Sequence, residues 1–258
     1  MAAAKSKYTP GSPAVDQAAQ VLKCLVQQDK SDVSLTRLCN LVGIHKSKGY
    51  AILHSLMTHG IVIKNPVSKA YSLGPALIPM ASKAKKNLPI LHAAGDLPRI
   101  LAEETRSSVL IGTIANHHFY VVAKHDGNTA IALTVRENQS LHITHGAHGK
   151  AIFAHLPPDE KQSIISAGRL EFYGSHMPWD MKMLEAQLAE CRKKGYAADI
   201  GEVTRGITAV SAPVFDHNNR VCAAVVLVGT FGEDLADIYG RKTAALARQI
   251  SQQCGAHE

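Results

Sequence analysis

Ser34-Leu35-Thr36-Arg37-Leu38-Cys39-Asn40-Leu41-Val42-Gly43-Ile44-His45-Lys46-Ser47-Lys48-Gly49-Tyr50-Ala51-Ile52-Leu53-His54-Ser55-Leu56 is the stretch that decides the fold. Leu35, Leu38, Leu41 and Val42 recur at helical spacing and supply the inner face of a short helix, whose N-terminus Ser34 caps with its hydroxyl. Gly43 permits a sharp turn, because a residue without Cβ tolerates left-handed backbone angles. Ile44, Tyr50 or Ala51, Ile52, Leu53 and Leu56 then bury a following helix that ends at Gly60. Upstream, Val15, Ala18, Ala19, Leu22, Leu25 and Val26 predict a helix over 15–28, set off by the polar break 29–32. Downstream, 61–64 and 69–73 read as strands around the turn residues Asn65-Pro66-Val67-Ser68. The pattern predicts a winged helix-turn-helix, mainly α with a β-wing.

Charge agrees with that reading. Residues 1–90 hold 12 Lys/Arg against 3 Asp/Glu, while the other 168 hold 16 against 18. Affinity for nucleic acid comes largely from neutralising phosphates, so a basic module joined to a near-neutral one suggests a DNA reader and its controller. A helix lying in the major groove reads base edges with side chains near its N-terminus. His45, Lys46, Ser47, Lys48, Tyr50 and His54 are therefore the candidate base-reading set, with Gly49 on or near the same open face. Thr36 and Arg37 are placed to hold phosphates, as are Lys64 and Lys69 at the shoulders of the wing. The competing reading is a three-helix protein-interaction module whose lysines are merely solvated.

With 258 residues, 46% of them hydrophobic and mean hydropathy −0.03, the chain can bury one full core or two smaller ones. It has no run near the roughly 20 apolar residues of a membrane-spanning helix. The first residues lack the apolar stretch of a secretion signal, so a cytoplasmic protein with a flexible tail over 1–13 is expected. Five cysteines form no CxxC pair and read as small buried thiols.

Beyond the wing, 75–86 suits a linker helix ending in Lys83, Lys85 and Lys86, although Pro79 must then sit in its first turn. A helix is expected over 90–105, with Pro98 at a bend or in an early turn, and strands over 109–114, 119–124 and 130–135. Helices at 181–194 and 234–254 flank a hairpin of 207–215 with 221–228. Strands interspersed with helices indicate an α+β domain. The expected division is tail 1–13, winged helix 14–74, linker helix 75–89 and α+β domain 90–258. Gly146-Ala147-His148-Gly149 precedes a helix beginning near Lys150, and the unpaired N–H groups of such a turn suit an anion. His142, His145 and His148 lie close together with His176 further on; imidazoles there would strengthen an anion site or hold a metal.

Three segments carry a resemblance to the IclR family of bacterial transcriptional regulators. The reading head runs into Tyr71-Ser72-Leu73-Gly74, similar to the family's Tyr-x-Leu-Gly. Gly149-Lys150-Ala151-Ile152-Phe153-Ala154-His155-Leu156-Pro157 is similar to its Gly-Lys-Ala-Leu-Leu-Ala-x-Leu-Pro. Gly195-Tyr196-Ala197-Ala198-Asp199-Ile200-Gly201-Glu202, followed by Gly206 through Ala212-Pro213-Val214, resembles its Gly-Tyr-Ala-x-Asp-x-x-Glu and later Ala-Pro-Val.

The resemblance implies an effector-binding C-terminal domain of PAS/GAF-like shape and a homodimer or dimer of dimers on a palindromic operator. It puts the effector against the turn of His145, Gly146, Ala147 and His148. Ala147 and His148 stand where members offer backbone N–H groups to a carboxylate. Asp199, Ile207, Ala209 and the stretch to Ser211 line or close the cavity. This chain departs from the family at His45, Lys48 and Ala51, where Pro, Thr and Arg are common, and at His148 and Ala209. No operator sequence carries over.

The function expected is a non-enzymatic regulator of double-stranded DNA, without cofactor and controlled by a small organic acid. Alternatives are a metal-responsive regulator, or an enzyme using His145, His148, Asp199 and Glu202; no serine elbow, phosphate loop or zinc-protease motif supports the latter. Tyr173 and Trp179, near His176, are candidates to roof the cavity, and Glu202 with Arg205 is expected as an exposed pair.

Overall fold

The computed structural model describes residues 11–28, 33–127, 137–168, 170–177 and 180–256. The strand expected over 130–135 and Trp179 lie outside them. The chain forms two compact units, Met1–Asn87 and Leu88–Glu258.

In the first unit α1 (Pro13–Gln27) opens on a proline in its first turn, two residues before the sequence pattern places it and inside the expected tail. α2 (Leu35–Val42) is capped by Ser34, whose Oγ accepts from the Arg37 amide at 3.3 Å, and stops at left-handed Gly43. α3 (Lys46–Thr58) follows, then β1 (Val62–Lys64) and β2 (Tyr71–Leu73) in antiparallel register. Val33, just before α2, forms an isolated antiparallel bridge to Tyr71 and so ties the helices to the wing. Val21, Leu25, Leu38, Leu53, Val62 and Tyr71 make the core. Leu41 and Tyr50 are corrections to the expected core, since both are more than half exposed, and Ala51, the alternative to Tyr50, is exposed as well; Gly49 is a correction in the other sense, because it is buried. α4 (Leu77–Lys86) holds Pro79 at its third position, where no intrahelical N–H bond is lost, and ends on its lysines.

The second unit begins with α5 (Pro89–Ala94) and α6 (Leu97–Thr105), where a single helix over 90–105 was expected. Gly95, at φ +50, separates them, and Pro98 lies in the first turn of α6, one of the two places expected for it. β3 (Ser108–Ala115), β4 (His118–His125) and β5 (Ser140–His142) come next, followed by α7 (Gly146–His155) and α8 (Pro158–Ser166). α9 (Met181–Lys194), β6 (Ala197–Ile200), β7 (Thr208–Phe215), β8 (Val221–Gly229) and α10 (Glu233–Gln253) complete the chain. The six strands form one antiparallel sheet in the order β5-β4-β3-β8-β7-β6.

One core joins α5, α6 and α10 to the sheet, and a second joins α7, α8 and α9 to it. The α+β architecture read from the sequence is the one present. Pro213 sits within β7, beyond Ser211 where the pairing with β6 ends, so its missing N–H leaves no rung of that ladder broken. All five cysteines are free thiols, three of them buried.

Candidate functional site: a nucleic-acid interface and an effector turn

All ten expected DNA contacts are exposed: Thr36, Arg37, His45, Lys46, Ser47, Lys48, Tyr50, His54, Lys64 and Lys69. No Asp or Glu occurs between Asp32 and Asp96, so no carboxylate of that stretch offsets these cations. His45 is the N-cap residue of α3, and its Nδ1 lies 2.9 Å from Ser47 Oγ instead of capping the helix. The first amides of α3 thus remain open beside Lys46 and Lys48, a favourable end for a phosphate. Tyr50 and His54, one turn apart, stack at 6.2 Å. Arg37 Nη2 donates to Gln28 Oε1 at 3.0 Å, which steers the guanidinium.

Gly49 explains how this head packs. A Cβ there would meet Cys39 Sγ at 2.3 Å and approach Ile44 and Leu35 at 3.5 and 3.6 Å. The close approach is to a side chain of α2 rather than to another backbone. In the wing, Asn65 Oδ1 accepts from the Val67 and Ser68 amides at 2.8 and 3.0 Å, and Lys69 adopts φ +58. Lys64 Nζ stands 5.2 Å above the Tyr71 ring.

In the second unit the helix starts four residues earlier than expected, so Gly146 to Gly149 form its first turn instead of leading into it. Gly146 enters at φ +50. A Cβ on Gly149 would lie 2.1 Å from the Thr144 carbonyl carbon, so the incoming chain crosses directly on the helix. Every residue from Gly146 to Ala154 is buried, as suits a helix apolar nearly all round. Gly146 N donates to the Glu171 carbonyl at 3.1 Å; among the described residues the Ala147 and His148 amides have no backbone acceptor.

Asp199 faces this turn. Its Oδ1 accepts from Glu202 N at 2.7 Å and Val203 N at 3.2 Å. Its Oδ2 lies 3.0 Å, and Val203 Cγ2 3.1 Å, from where a Cβ of Gly146 would stand. Burial pushes the Asp199 carboxyl above its usual range, against the pull of those two amides and of Lys150.

The histidines separate into individual roles. His148 is buried, stacks on Phe119 at 4.3 Å and donates from Nε2 to the His142 carbonyl at 3.2 Å. Burial, with His145 nearby, drives its pKa down to about 3, so it is neutral at neutral pH. The strengthening of an anion site expected from the imidazoles does not come from a charged His148. His142 Nδ1 lies 2.7 Å from Thr144 Oγ1, His145 Nδ1 3.5 Å from Glu171, and His176 Nε2 donates to the Gly201 carbonyl at 3.0 Å. Among the described residues no group of three or more His, Cys, Asp or Glu is arranged to hold a metal ion.

Ile207 and Ala209 are half-buried on the α7 side of the sheet. Ser211 is fully enclosed, its hydroxyl donating to the Val225 carbonyl at 3.0 Å. The residues that sequence reasoning missed are Lys150, Gln187 and the role of Tyr173. Glu202 does not form an exposed pair with Arg205: it pairs with Lys150, which is fully buried. The signal was a lysine inside the apolar run Ala147–Ala154. A cavity of about 200 Å³ lies where α9 faces β6, with Lys150, Gln187, Glu190, Lys194, Tyr196 and Glu202 in its wall. None of the eight expected effector residues lines it; their turn is closed by Asp199 and Val203.

A winged helix rich in exposed cations, on the same chain as an α+β domain, defines the class: a DNA-binding regulator with a second module. The chain matches the IclR helix-turn-helix domain over residues 14–66 and the C-terminal domain of bacterial IclR regulators over residues 82–252. It belongs to the IclR family of bacterial transcriptional regulators. It is 26% identical to the HTH-type transcriptional regulator XynR of Escherichia coli (strain K12), over 83% of this chain and 84% of that one. It is 27% identical to KdgR of Dickeya chrysanthemi, over 89% and 76% of the two chains. In fold it is similar to an IclR regulator from Alicyclobacillus acidocaldarius (TM-score 0.83, 23% identity, 95% of this chain and 100% of that one). It is also similar to an IclR homolog from Microbacterium hydrocarbonoxydans that was crystallised with 4-hydroxybenzoate (TM-score 0.76, 16% identity, 93% and 98%). Among the described residues no helix is long and apolar enough to cross a membrane.

Proposed function

We propose that this regulator binds a palindromic operator as a homodimer or dimer of dimers, and that a small organic acid bound at the first turn of α7 controls its occupancy. The observation that carries the effector reading is the pair of Ala147 and His148 amides without backbone acceptors, beside the Asp199 carboxyl. The amides and the helix dipole favour a carboxylate. Asp199 Oδ2 disfavours a bare second anion and favours a ligand that also offers a hydroxyl. Oligomerisation is supported by exposed Val15, Val26, Ile78 and Met80 on the first unit. The effector shifts operator occupancy only by its differential affinity for the two arrangements of the protein. A regulatory rather than enzymatic role is supported by the engagement of His148, Asp199 and Glu202 in internal contacts.

The test is footprinting on the promoter region adjoining the gene, with and without hydroxylated carboxylic acids, starting from 4-hydroxybenzoate. Specific protection of a two-fold symmetric site, altered by an acid, is expected. Binding no tighter than to scrambled duplex overturns the operator; protection that no acid alters, together with no thermal shift, overturns the effector.

A further inference from the structure

Four side chains from four segments close a ring beside the α7 turn. Lys150 pairs with Glu202 and donates to the Ala198 carbonyl at 3.2 Å. Glu202 Oε1 accepts from Gln187 Nε2 at 2.7 Å, and Gln187 Oε1 accepts from the Tyr173 hydroxyl at 2.7 Å. The Tyr173 ring lies 4.8 Å from Lys150 Nζ. Glu202 is also held by its backbone, its amide donating to Asp199 and its carbonyl accepting from Gly174 N at 2.9 Å. The next residue, Val203, fills the space a Gly146 side chain would need, its Cγ2 3.1 Å from where a Cβ would stand. Residues 201–206 leave and return through left-handed Gly201 and Gly206, closed by Gly201 N donating to the Ile207 carbonyl at 3.0 Å.

We propose that Lys150 is a positioning residue: through Glu202 it holds segment 201–206 down as a lid over the first turn of α7. A ligand reaching the Ala147 and His148 amides displaces Val203, and the Lys150–Glu202 pair sets how readily that happens. A buried lysine is strongly disfavoured without its partner, which biases the segment towards the closed position. The neighbouring cavity of about 200 Å³, with Glu202 in its wall, gives the carboxylate room to swing when the lid lifts. The inference rests on the effector reading for its purpose, and on the ring alone for its mechanics.

Hydrogen–deuterium exchange on the full-length protein without ligand tests it. Lys150→Met alone leaves Glu202 buried and unpaired, so the main variant is Lys150→Met with Glu202→Gln, which removes both charges at similar volume. Amides 201–203 are expected to exchange about tenfold or more faster than in wild type, with β7 and β8 unchanged. Tyr173→Phe, which keeps both charges, is expected to give a smaller acceleration at the same amides. Unchanged exchange at 201–203, or loss of protection across the whole sheet, overturns the proposal. No ligand enters the measurement, so a failure here is distinct from a failure to find an effector.

Discussion

A Cβ on Gly49 would stand 2.3 Å from Cys39 Sγ, so the two helices of the reading head meet across a missing side chain. Gly49→Ala would gain about 1 kcal/mol of helix propensity and lose about 1–3 kcal/mol to overpacking. Net destabilisation is expected, read as a lower melting temperature of the first unit. Cys39→Ala removes the obstructing sulfur, so the double variant is expected to recover part of the loss. A Gly49→Ala protein as stable as wild type contradicts this packing.

Lys46 and Lys48 are exposed beside the open N-terminus of α3, whereas Lys64 and Lys69 sit on the wing. Alanine at Lys46 or Lys48 is expected to weaken operator binding more than binding to random duplex. Lys64→Ala and Lys69→Asn are expected to weaken both alike and to lower the slope of affinity against log salt by about 1 each. Asn is chosen at Lys69 because it tolerates the φ of +58 there, which isolates the charge. Gel shifts over a salt series decide the matter; equal losses for all four variants would remove the distinction between base reading and phosphate contact.

His148 is held neutral in the fold, with its pKa driven from 6.5 down to about 3. Between those values the unfolded chain binds a proton that the folded protein excludes. Stability from this group is therefore complete above about pH 6.5 and falls as acid is added, by at most about 1.4 kcal/mol per pH unit. Gln at 148 keeps a donor for the His142 carbonyl and does not titrate. Urea unfolding at about pH 7.5 and about pH 5 is expected to show wild type losing about 2 kcal/mol more than His148→Gln. Identical losses in the two proteins would refute a buried neutral imidazole.

Asp199 anchors two amides through one oxygen. Asp199→Ala leaves both without that acceptor and is expected to destabilise by about 1–3 kcal/mol in urea unfolding. Asp199→Asn keeps a carbonyl acceptor and removes the charge facing Gly146, so its stability is expected to stay near wild type. Parity of the Ala variant with wild type would show that the turn does not depend on this carboxyl.

Local chemistry was readable along the chain wherever neighbours in sequence decide the backbone. The Ser34 cap, the Gly43 stop, the wing turn and the β7–β8 hairpin follow from spacing and turn residues, since each involves only a few consecutive positions. The charge imbalance of the first 90 residues is likewise a property of composition. Packing decided the rest. Leu41 and Tyr50 continue the apolar pattern yet face outward, because a short helix has room for only part of its pattern on a small core. The α7 start was hidden by two glycines, poor helix formers that are required where Thr144 crosses at Gly149 and where the chain enters at Gly146. Lys150 and Glu202 are 52 residues apart; only the folding of α7 against β6 brings their charges together, because a buried ammonium is stable where a distant segment supplies its counter-charge.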